Sequence, residues 1–562
     1  MCYNLQSFKL LKSEMFEQAT LLKKILIASA AIIILATIAY SDSFNCSFNF
    51  DDYHQIYKNE HLAKIANIPS FFYDPSASSF RDAKGYRPLL LGTFALNYAI
   101  SGDNVWSYHL FNLILHVLNA VLVFLTVMLV LEASGKKSFL VPLFVSIVFA
   151  VHPVQTGAVT YISARSVVLA SFFCLLSFLS FLRFRRGGGN KVLWAVLSPV
   201  FFILGMLSKE TAVCLPGLAI GYDFIFRAKS LKKLRGYLYY FAYILPLLAY
   251  LLLRKALLGY ASVEAVYPRT IYLLSQIRRF PLYLRLMLFP FNQNADYNFP
   301  PTTTIGITVV LSAILIIAIF SFLLAVRKKM PAAAFFGLWF FIVFAPESSI
   351  FPILDITVEY RVYLAVAGLI ASIAIFLSSF ELRPGFVRKG AATAVILLFT
   401  LLTFGRNKVW ATPATLWSDV VKKAPYSDRA WTNLGEALLD EGRDREALGV
   451  LAKALESAPD ERKSIIYTNM GCCYSDLGEL EPARESFQKA IDADPTRVEA
   501  RVNLGMLYYQ HGDYKDAVDA LTGAVNVNPG YAKAHYELSL ALYAMGDNSD
   551  AAREMEKAKE LD

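Results

Sequence analysis

Two adjacent carboxylates, Asp51 and Asp52, follow an uncharged apolar run from Ile25 to Tyr40, in the segment Phe48-Asn49-Phe50-Asp51-Asp52-Tyr53-His54. Carboxylates at the edge of a membrane span are costly unless they pair, bind a cation or move protons. The pair is therefore the first candidate for general-base chemistry. Its competing role is structural, because Asp is a favoured N-cap and a helix starting at Tyr53 would use one.

The cations and remaining polar groups that could act with this pair sit near the ends of other apolar runs. Arg87 precedes Pro88. His152-Pro153 and Gln155 lie in a short turn, with Arg165 beyond it. Lys209-Glu210 interrupts an otherwise continuous apolar stretch. Arg278, Arg279 and Arg285 share one segment, and Glu347, Asp355, Glu359 and Arg361 another. Singly, each cation could anchor to lipid headgroups, and Glu359 could pair with Arg361. Together they describe one kind of site. A lipid phosphate needs fixed cations at the membrane boundary, and a hydroxyl acceptor needs a carboxylate base within hydrogen-bond reach.

The elements that must position these groups are mostly membrane spans. The 562 residues are 56% hydrophobic and 14% aromatic, a load that fits a polytopic membrane protein rather than a soluble domain. Apolar stretches fall at 23–40, 107–132, 138–152, 157–182, 192–208, 211–227, 237–258, 304–326, 331–345, 361–379 and 390–405, predicting about eleven spans. Basic clusters occur at Lys23-Lys24, Lys136-Lys137, Arg183 to Arg186 with Lys191, Arg227 to Arg235, Arg327 to Lys329 and Arg383 to Lys389. Alternating spans place all of them on one side, which the positive-inside rule makes the cytoplasm. The opposite face then receives Asp51-Asp52, His152, residues 259–303, residues 346–360 and the C-terminal module. Short helices along the membrane surface are expected over 86–100 and 270–290. The N-terminal run reads as a retained signal anchor rather than a cleaved leader.

After residue 410 the pattern becomes amphipathic. Gly471 and Gly505 are 34 residues apart, as are Gly478, Gly512 and Gly546, and Ala483, Ala517 and Ala551. Gly435, Gly442, Ala447 and Pro459 precede their counterparts by 36. This is the tetratricopeptide pattern, with small residues where paired helices cross and a Pro closing the unit. The predicted organisation is a membrane module over 1–410, a linker over 411–425, and four repeats at 426–459, 462–495, 496–529 and 530–562. No separate capping helix follows the fourth unit, so its end face is expected to be covered by a partner or to be less stable. Such arrays bind peptides or protein surfaces on a concave face; a spacer or oligomerisation arm is the plainer role.

The net charge of +9 hides an asymmetry. Residues 424–562 carry 15 Lys and Arg against 26 Asp and Glu, a net of −11, which leaves +20 on the membrane module. That excess fits cytoplasmic anchoring and an anionic substrate without implying nucleic acid. The six cysteines, at 2, 46, 174, 214, 472 and 473, have neither metal-ligand spacing nor a disulfide framework.

Several segments resemble one family. Asp51 to Asn59, Tyr86-Arg87-Pro88-Leu89, Asn97-Tyr98, His109 through Asn112 to His116, His152-Pro153-Val154-Gln155, Tyr161-Ile162-Ser163-Ala164-Arg165, Leu207-Ser208-Lys209-Glu210 and Glu359-Tyr360-Arg361-Val362-Tyr363-Leu364 are similar, in that order, to landmarks of the transmembrane and tetratricopeptide-repeat protein O-mannosyltransferases and their bacterial relatives. Gln155 stands where relatives often have a second His, and Ala164 where they have Gly. The resemblance implies a GT-C glycosyltransferase: an all-α bundle of transmembrane helices followed by a soluble α-solenoid. It implies Asp51 and Asp52 as catalytic carboxylates, Lys209, Arg361, Arg165 and Arg279 as ligands of the donor phosphate, and His54, Arg87, His152, Glu210 and Glu359 as residues lining the site. The implied donor is a sugar on polyprenyl phosphate, the acceptor a protein hydroxyl, and the outcome inversion at the anomeric carbon. Members of this fold class differ in metal use, so a Mg or Mn ion bridging Asp51 or Asp52 to the phosphate stays open. The same donor chemistry with a lipid or polysaccharide acceptor, and a non-catalytic scaffold or transporter, are the competing readings. The expected location is the bacterial inner membrane with site and repeats in the periplasm, or the endoplasmic reticulum membrane of a eukaryote.

Overall fold

Apolar runs of this length must be surrounded by protein or lipid, and all eleven stretches named above are helical in the structure, a computed structural model. It describes residues 2–77, 85–187, 190–227, 238–258, 267–349, 352–353, 355–380 and 385–561, with side chains described from residue 20 onward except residue 21. Residues 228–235 and 383–384 of the expected basic clusters, residues 259–266 of the large loop, and Asp562 lie outside the described residues.

The chain forms two units, Met1–Thr412 and Pro413–Asp562. The first contains α1 (Cys2–Ala39), α2 (Pro88–Ser101), α3 (Trp106–Ala133), α4 (Leu140–Ala150), α5 (Thr156–Val159), α6 (Arg165–Arg186), α7 (Lys191–Met206), α8 (Cys214–Phe226), α9 (Phe241–Leu258), α10 (Arg269–Leu288), α11 (Ile307–Val326), α12 (Pro331–Phe344), α13 (Tyr363–Ser378) and α14 (Gly385–Asn407). Among the described residues, seven of its helical stretches are long and apolar enough to cross a membrane, or eight if the bent pair 140–150 and 153–159 counts as one span. This makes the chain a multi-pass membrane protein. The other three expected spans are shorter: α7 has 16 residues, α8 13 and α12 14. At 1.5 Å per residue these fall short of a ~30 Å hydrocarbon layer. The cut between α7 and α8 is at Leu207 to Glu210, where buried Lys209 and half-buried Glu210 sit.

The bent pair explains a second pattern. Pro153 lacks an N–H, and His152 before it is extended (φ −73°, ψ 126°), so the helix breaks and turns by 47°. A break inside a membrane frees carbonyls that have no water to bond. Buried polar side chains supply the donors. His116 Nε2 pairs with the Ala150 carbonyl at 2.9 Å, Thr403 Oγ1 donates to that of Val151 at 2.7 Å, and Asn112 Nδ2 to that of Val159 at 3.0 Å. His109, Asn112, His116 and Asn119 form a stripe at helical spacing down α3, each buried and hydrogen-bonded.

Elsewhere the bundle closes on small residues. A Cβ on Gly368 of α13 would lie 2.5 Å from Trp339 Cδ1, 2.8 Å from the Phe336 carbonyl oxygen and 3.0 Å from the Phe340 nitrogen, so α12 and α13 meet backbone to backbone. Between α1 and α2 the chain runs through short 3-10 and π turns. There Phe50, immediately before Asp51, takes a left-handed backbone (φ 54°). A bulky residue adopts that conformation at a cost of about 1 kcal/mol or more.

In the second unit the residues expected as a linker contain a helix, α15 (Pro413–Lys423). Leu416, Trp417, Val420 and Val421 recur at helical spacing, and all four are buried in a face packed on the first repeat. The repeats follow as antiparallel pairs: α16 (Asp428–Asp440) and α17 (Asp444–Ser457), α18 (Asp460–Asp476) and α19 (Leu480–Ala493), α20 (Val498–His511) and α21 (Tyr514–Val527), α22 (Ala532–Met545) and α23 (Asn548–Leu561). Gly435, Gly471 and Gly505 lie where Leu451, Phe487 and Leu521 of the paired helix press in, closer than 3.0 Å to any added Cβ. The 36-residue first step has a visible cause: α18 has 17 residues, against 13 or 14 for the other first helices. Cys473 is buried and Cys472 partly so; no disulfide occurs among the described residues.

Candidate active site

The left-handed turn at Phe50 sends the two aspartates into unlike surroundings. Asp52 is 1% exposed. Its Oδ1 accepts the Ser163 N–H at 2.7 Å and the Ser163 hydroxyl at 2.5 Å, and its Oδ2 accepts the Asn49 N–H at 3.0 Å. Burial pushes its carboxyl up to about 7, against these three hydrogen bonds, which favour the carboxylate; the Asp51 charge adds to the rise. Asp52 thus ties the first loop to the Tyr161–Arg165 segment. It does not cap a helix at Tyr53 with its side chain. Asp51 is half-buried, with its backbone N–H 3.3 Å from the Tyr161 hydroxyl. Burial, then the charges of Asp51 and Asp52, raise the Tyr161 phenol well above its ordinary range. The Tyr161 ring stacks on Trp410 at 5.5 Å and leans on Tyr360 at 6.5 Å.

Beyond Tyr360 lie the cations. Lys209 Nζ stands 5.2 Å over the Tyr360 ring and 2.5 Å from Glu347 Oε1. Burial lowers the Lys209 pKa, and the Glu347 carboxylate offsets only part of that. The Leu89 N–H bonds the Leu207 carbonyl at 3.3 Å, which sets Arg87 beside the Lys209 loop. Arg87 Nη2 then reaches Glu210 Oε2 at 3.4 Å, and Arg254 reaches Oε1 at 4.0 Å. Burial would favour neutral Glu210, but Arg87, Arg254 and Lys209 outweigh it and hold the acid below its usual range. Arg87 rises despite burial, held by Glu210 and Glu347. Arg361 is buried and donates to the carbonyls of Ile356 (2.8 Å) and Asp355. It lines a cavity of about 20 Å³ together with Glu347, Thr211 and Ser171. The structure therefore assembles Asp51, Asp52, Tyr161, Tyr360, Lys209, Glu347, Arg361, Arg87 and Glu210 into one connected set.

Five expected site residues stand outside this set. Arg165 is fully buried: Nε donates to Asn112 Oδ1 (2.6 Å), Nη1 to Asn97 Oδ1 (2.6 Å) and Thr93 Oγ1 (3.2 Å), and Nη2 to the Tyr108 carbonyl (3.0 Å). Four of its five N–H donors join α2 and α3 to α6, a structural role beside the phosphate-binding one expected of it. His152 is also buried, with Nε2 on the Met287 carbonyl (3.0 Å) and Nδ1 accepting the Val154 N–H (3.2 Å), which ties the turn after α4 to α10. Glu359 accepts from the Asn294 N–H, the Tyr297 hydroxyl and Gln293 Nε2, at 2.8, 2.7 and 3.1 Å, and does not pair with Arg361. Arg279 lies 3.8 Å over the Phe299 ring. His54 is exposed on the turn after Asp52.

Ser163, Tyr161, Tyr360 and Arg254 were not among the expected site residues. Their signal was faint: Tyr161, Ser163 and Tyr360 are uncharged members of the named motifs, and Arg254 lies within an apolar run. For a divalent cation the donor set is thin. Among the described residues no three His, Cys, Asp or Glu side chains converge, and both Asp52 oxygens are engaged.

Comparison with known proteins matches the same two parts. Tetratricopeptide repeat models match residues 426–496, 469–525 and 502–562. Human "Protein O-mannosyl-transferase TMTC3" is 26% identical over 509 residues, covering 83% of this chain and 55% of that protein. "Protein O-mannosyl-transferase F38B6.6" of Caenorhabditis elegans is 28% identical, covering 74% and 60%. Human "Protein O-mannosyl-transferase TMTC2" is 32% identical over 222 residues, 38% of this chain and 26% of that one. Among solved structures, a crystal structure of MamA is 24% identical over 26% of this chain and 80% of its own, with a TM-score of 0.23. The chain spans little more than half the length of the first of these relatives. Over most of its own length, membrane module and repeats alike, the chain is similar to proteins named as TMTC protein O-mannosyl-transferases.

Proposed function

We propose that the chain is a GT-C type glycosyltransferase that moves a sugar, mannose by analogy with its relatives' names, from polyprenyl phosphate to a Ser or Thr hydroxyl of a protein. The observation that supports this best is the connected set running from Asp51 through Tyr161 and Tyr360 to Lys209, Arg361 and Arg87. Asp51, less enclosed than Asp52, takes the acceptor's proton as the hydroxyl oxygen attacks the anomeric carbon. The bond from that carbon to the phosphate oxygen breaks, its electron pair stays with phosphate, and the carbon inverts. The leaving polyprenyl phosphate gains negative charge. Lys209, Arg87, Arg361 and Arg254 against Glu210 and Glu347 give the surplus of positive charge that stabilises it. Asp52 holds the loop so that Asp51 faces the acceptor. No step is routed through a metal.

The site and the repeats face the non-cytoplasmic side, the periplasm in a bacterium or the endoplasmic reticulum lumen in a eukaryote. The concave face of the repeats takes the protein acceptor or a partner of it. The test is transfer of radiolabelled sugar from a panel of polyprenyl-phosphate donors in membranes, comparing wild type with Asp51→Asn. Wild type should label protein, and the variant should lose roughly 100-fold or more, as for a missing general base. Label arriving in lipid or glycan would reassign the acceptor. No transfer by either folded protein from any donor would remove the enzyme and leave a scaffold.

A further inference from the structure

We infer that the Glu347 carboxylate stands in the place of the donor's phosphate, and that the donor binds by exchanging with it. This deepens the function proposed above and rests on it.

Glu347 is the one carboxylate of the set that faces Lys209 and Arg361 together. It lies 2.5 Å from Lys209 Nζ, shares a cavity wall with Arg361, and is within electrostatic reach of Arg87. The Lys209 side chain is only 7% exposed, and a buried ammonium without a counter-ion is strongly unfavourable. Something anionic must therefore stand there before the donor arrives. A carboxylate and a phosphodiester are both monoanions that present two oxygens to fixed cations, so one can stand in for the other.

The two glutamates differ in how they are held. Glu210 follows Lys209 directly and is bridged by two arginines, Arg87 ahead of α2 and Arg254 in α9. Glu347 comes from the opposite side, on the turn Ala345–Glu347 that ends α12. The Tyr272 hydroxyl bonds its carbonyl at 2.6 Å and fixes its backbone. Only the side chain has to move, through its own rotamers, for Lys209 to be handed to a phosphate. An exchanging ion of this kind sets donor affinity and blocks the cation cluster against stray anions.

The test uses full-length protein in lipid nanodiscs. The dissociation constant for polyprenyl phosphate without sugar is measured, with KM and kcat for the sugar-loaded donor. Glu347→Gln should bind polyprenyl phosphate roughly tenfold more tightly, the factor a competing charge-assisted contact carries, and KM should fall in parallel. Glu210→Gln removes a charge from the same cluster without vacating the phosphate's place, so it should tighten binding much less. Equal tightening by both variants would reduce the effect to charge alone and overturn the proposal. Unchanged or weaker binding by Glu347→Gln would overturn it too, leaving Glu347 as a support for Lys209. Should Glu347→Gln not fold, Glu347→Asp, whose shorter carboxylate loosens the pair, decides: it should tighten binding by a smaller factor, and unchanged or weaker binding refutes the exchange. Wild type that binds no polyprenyl phosphate at all would instead sink the donor assignment.

Discussion

Asp51 and Asp52 are chemically identical and adjacent, yet Asp52 is buried and Asp51 only half-buried. Asp52 holds Ser163 and Asn49 from within, and burial raises its carboxyl to about 7. An unfolded Asp titrates near 3.9. Between those values the folded chain keeps a proton that the unfolded chain has lost, so this group's contribution to stability declines as pH rises through the window and is level above it. The slope is at most about 1.4 kcal/mol per pH unit. Thermal unfolding of wild type minus that of Asp52→Asn, followed from pH 5 to pH 8.5, should show this decline; a difference independent of pH would contradict it. The aspartate pair and the cations Lys209, Arg87 and Arg361 were legible in the sequence because charge at a span end is rare. Arg165, His152 and Glu359 looked the same by that criterion. Their partners Asn112, Met287 and Asn294 are 53 to 135 residues away, and no local pattern reveals that the donors or acceptors are already taken.

Helices α12 and α13 touch at Gly368, and the walls of the cation cluster continue from both: Glu347 just past the end of α12, Arg361 just before α13. Gly368→Ala would press a methyl into the backbone of Phe336 and Phe340. Overpacking of this kind costs about 1–3 kcal/mol. The expected outcome is a lower melting temperature and weaker donor binding together. Gly390→Ala, on a helix where nothing lies within 4 Å of the added methyl, serves as the control and should be neutral or slightly stabilising. The repeats were the most legible elements, since their 34-residue register follows from fixed glycines at helix crossings. The helix at 413–423 was missed because its eleven residues lie outside that register and carry a strong amphipathic pattern over barely three turns. The three short apolar helices were legible as helices but not in length, which depends on where the buried charges between them fall.

At the scale of the whole chain, the division at residue 412 separates two units with their own cores. Residues 413–562 expressed alone should be soluble and largely helical by circular dichroism, with a cooperative melt; an unfolded spectrum would show that the repeats depend on the membrane unit. The membrane unit has a different dependence, already built into α3. Four polar side chains run down that helix; His109 bonds the earlier Cys46 carbonyl, but the partners of Asn112, His116 and Asn119 are carbonyls and a hydroxyl contributed by segments translated later, among them Ala150, Val159, Val168 and Tyr363. Leaving the translocon singly, α3 would carry unpaired imidazoles and amides into hydrocarbon, and the broken span at 140–159 would carry bare carbonyls. Each supplies what the other lacks. The expected consequence for biogenesis is that α3 and the broken span enter the bilayer together rather than one at a time.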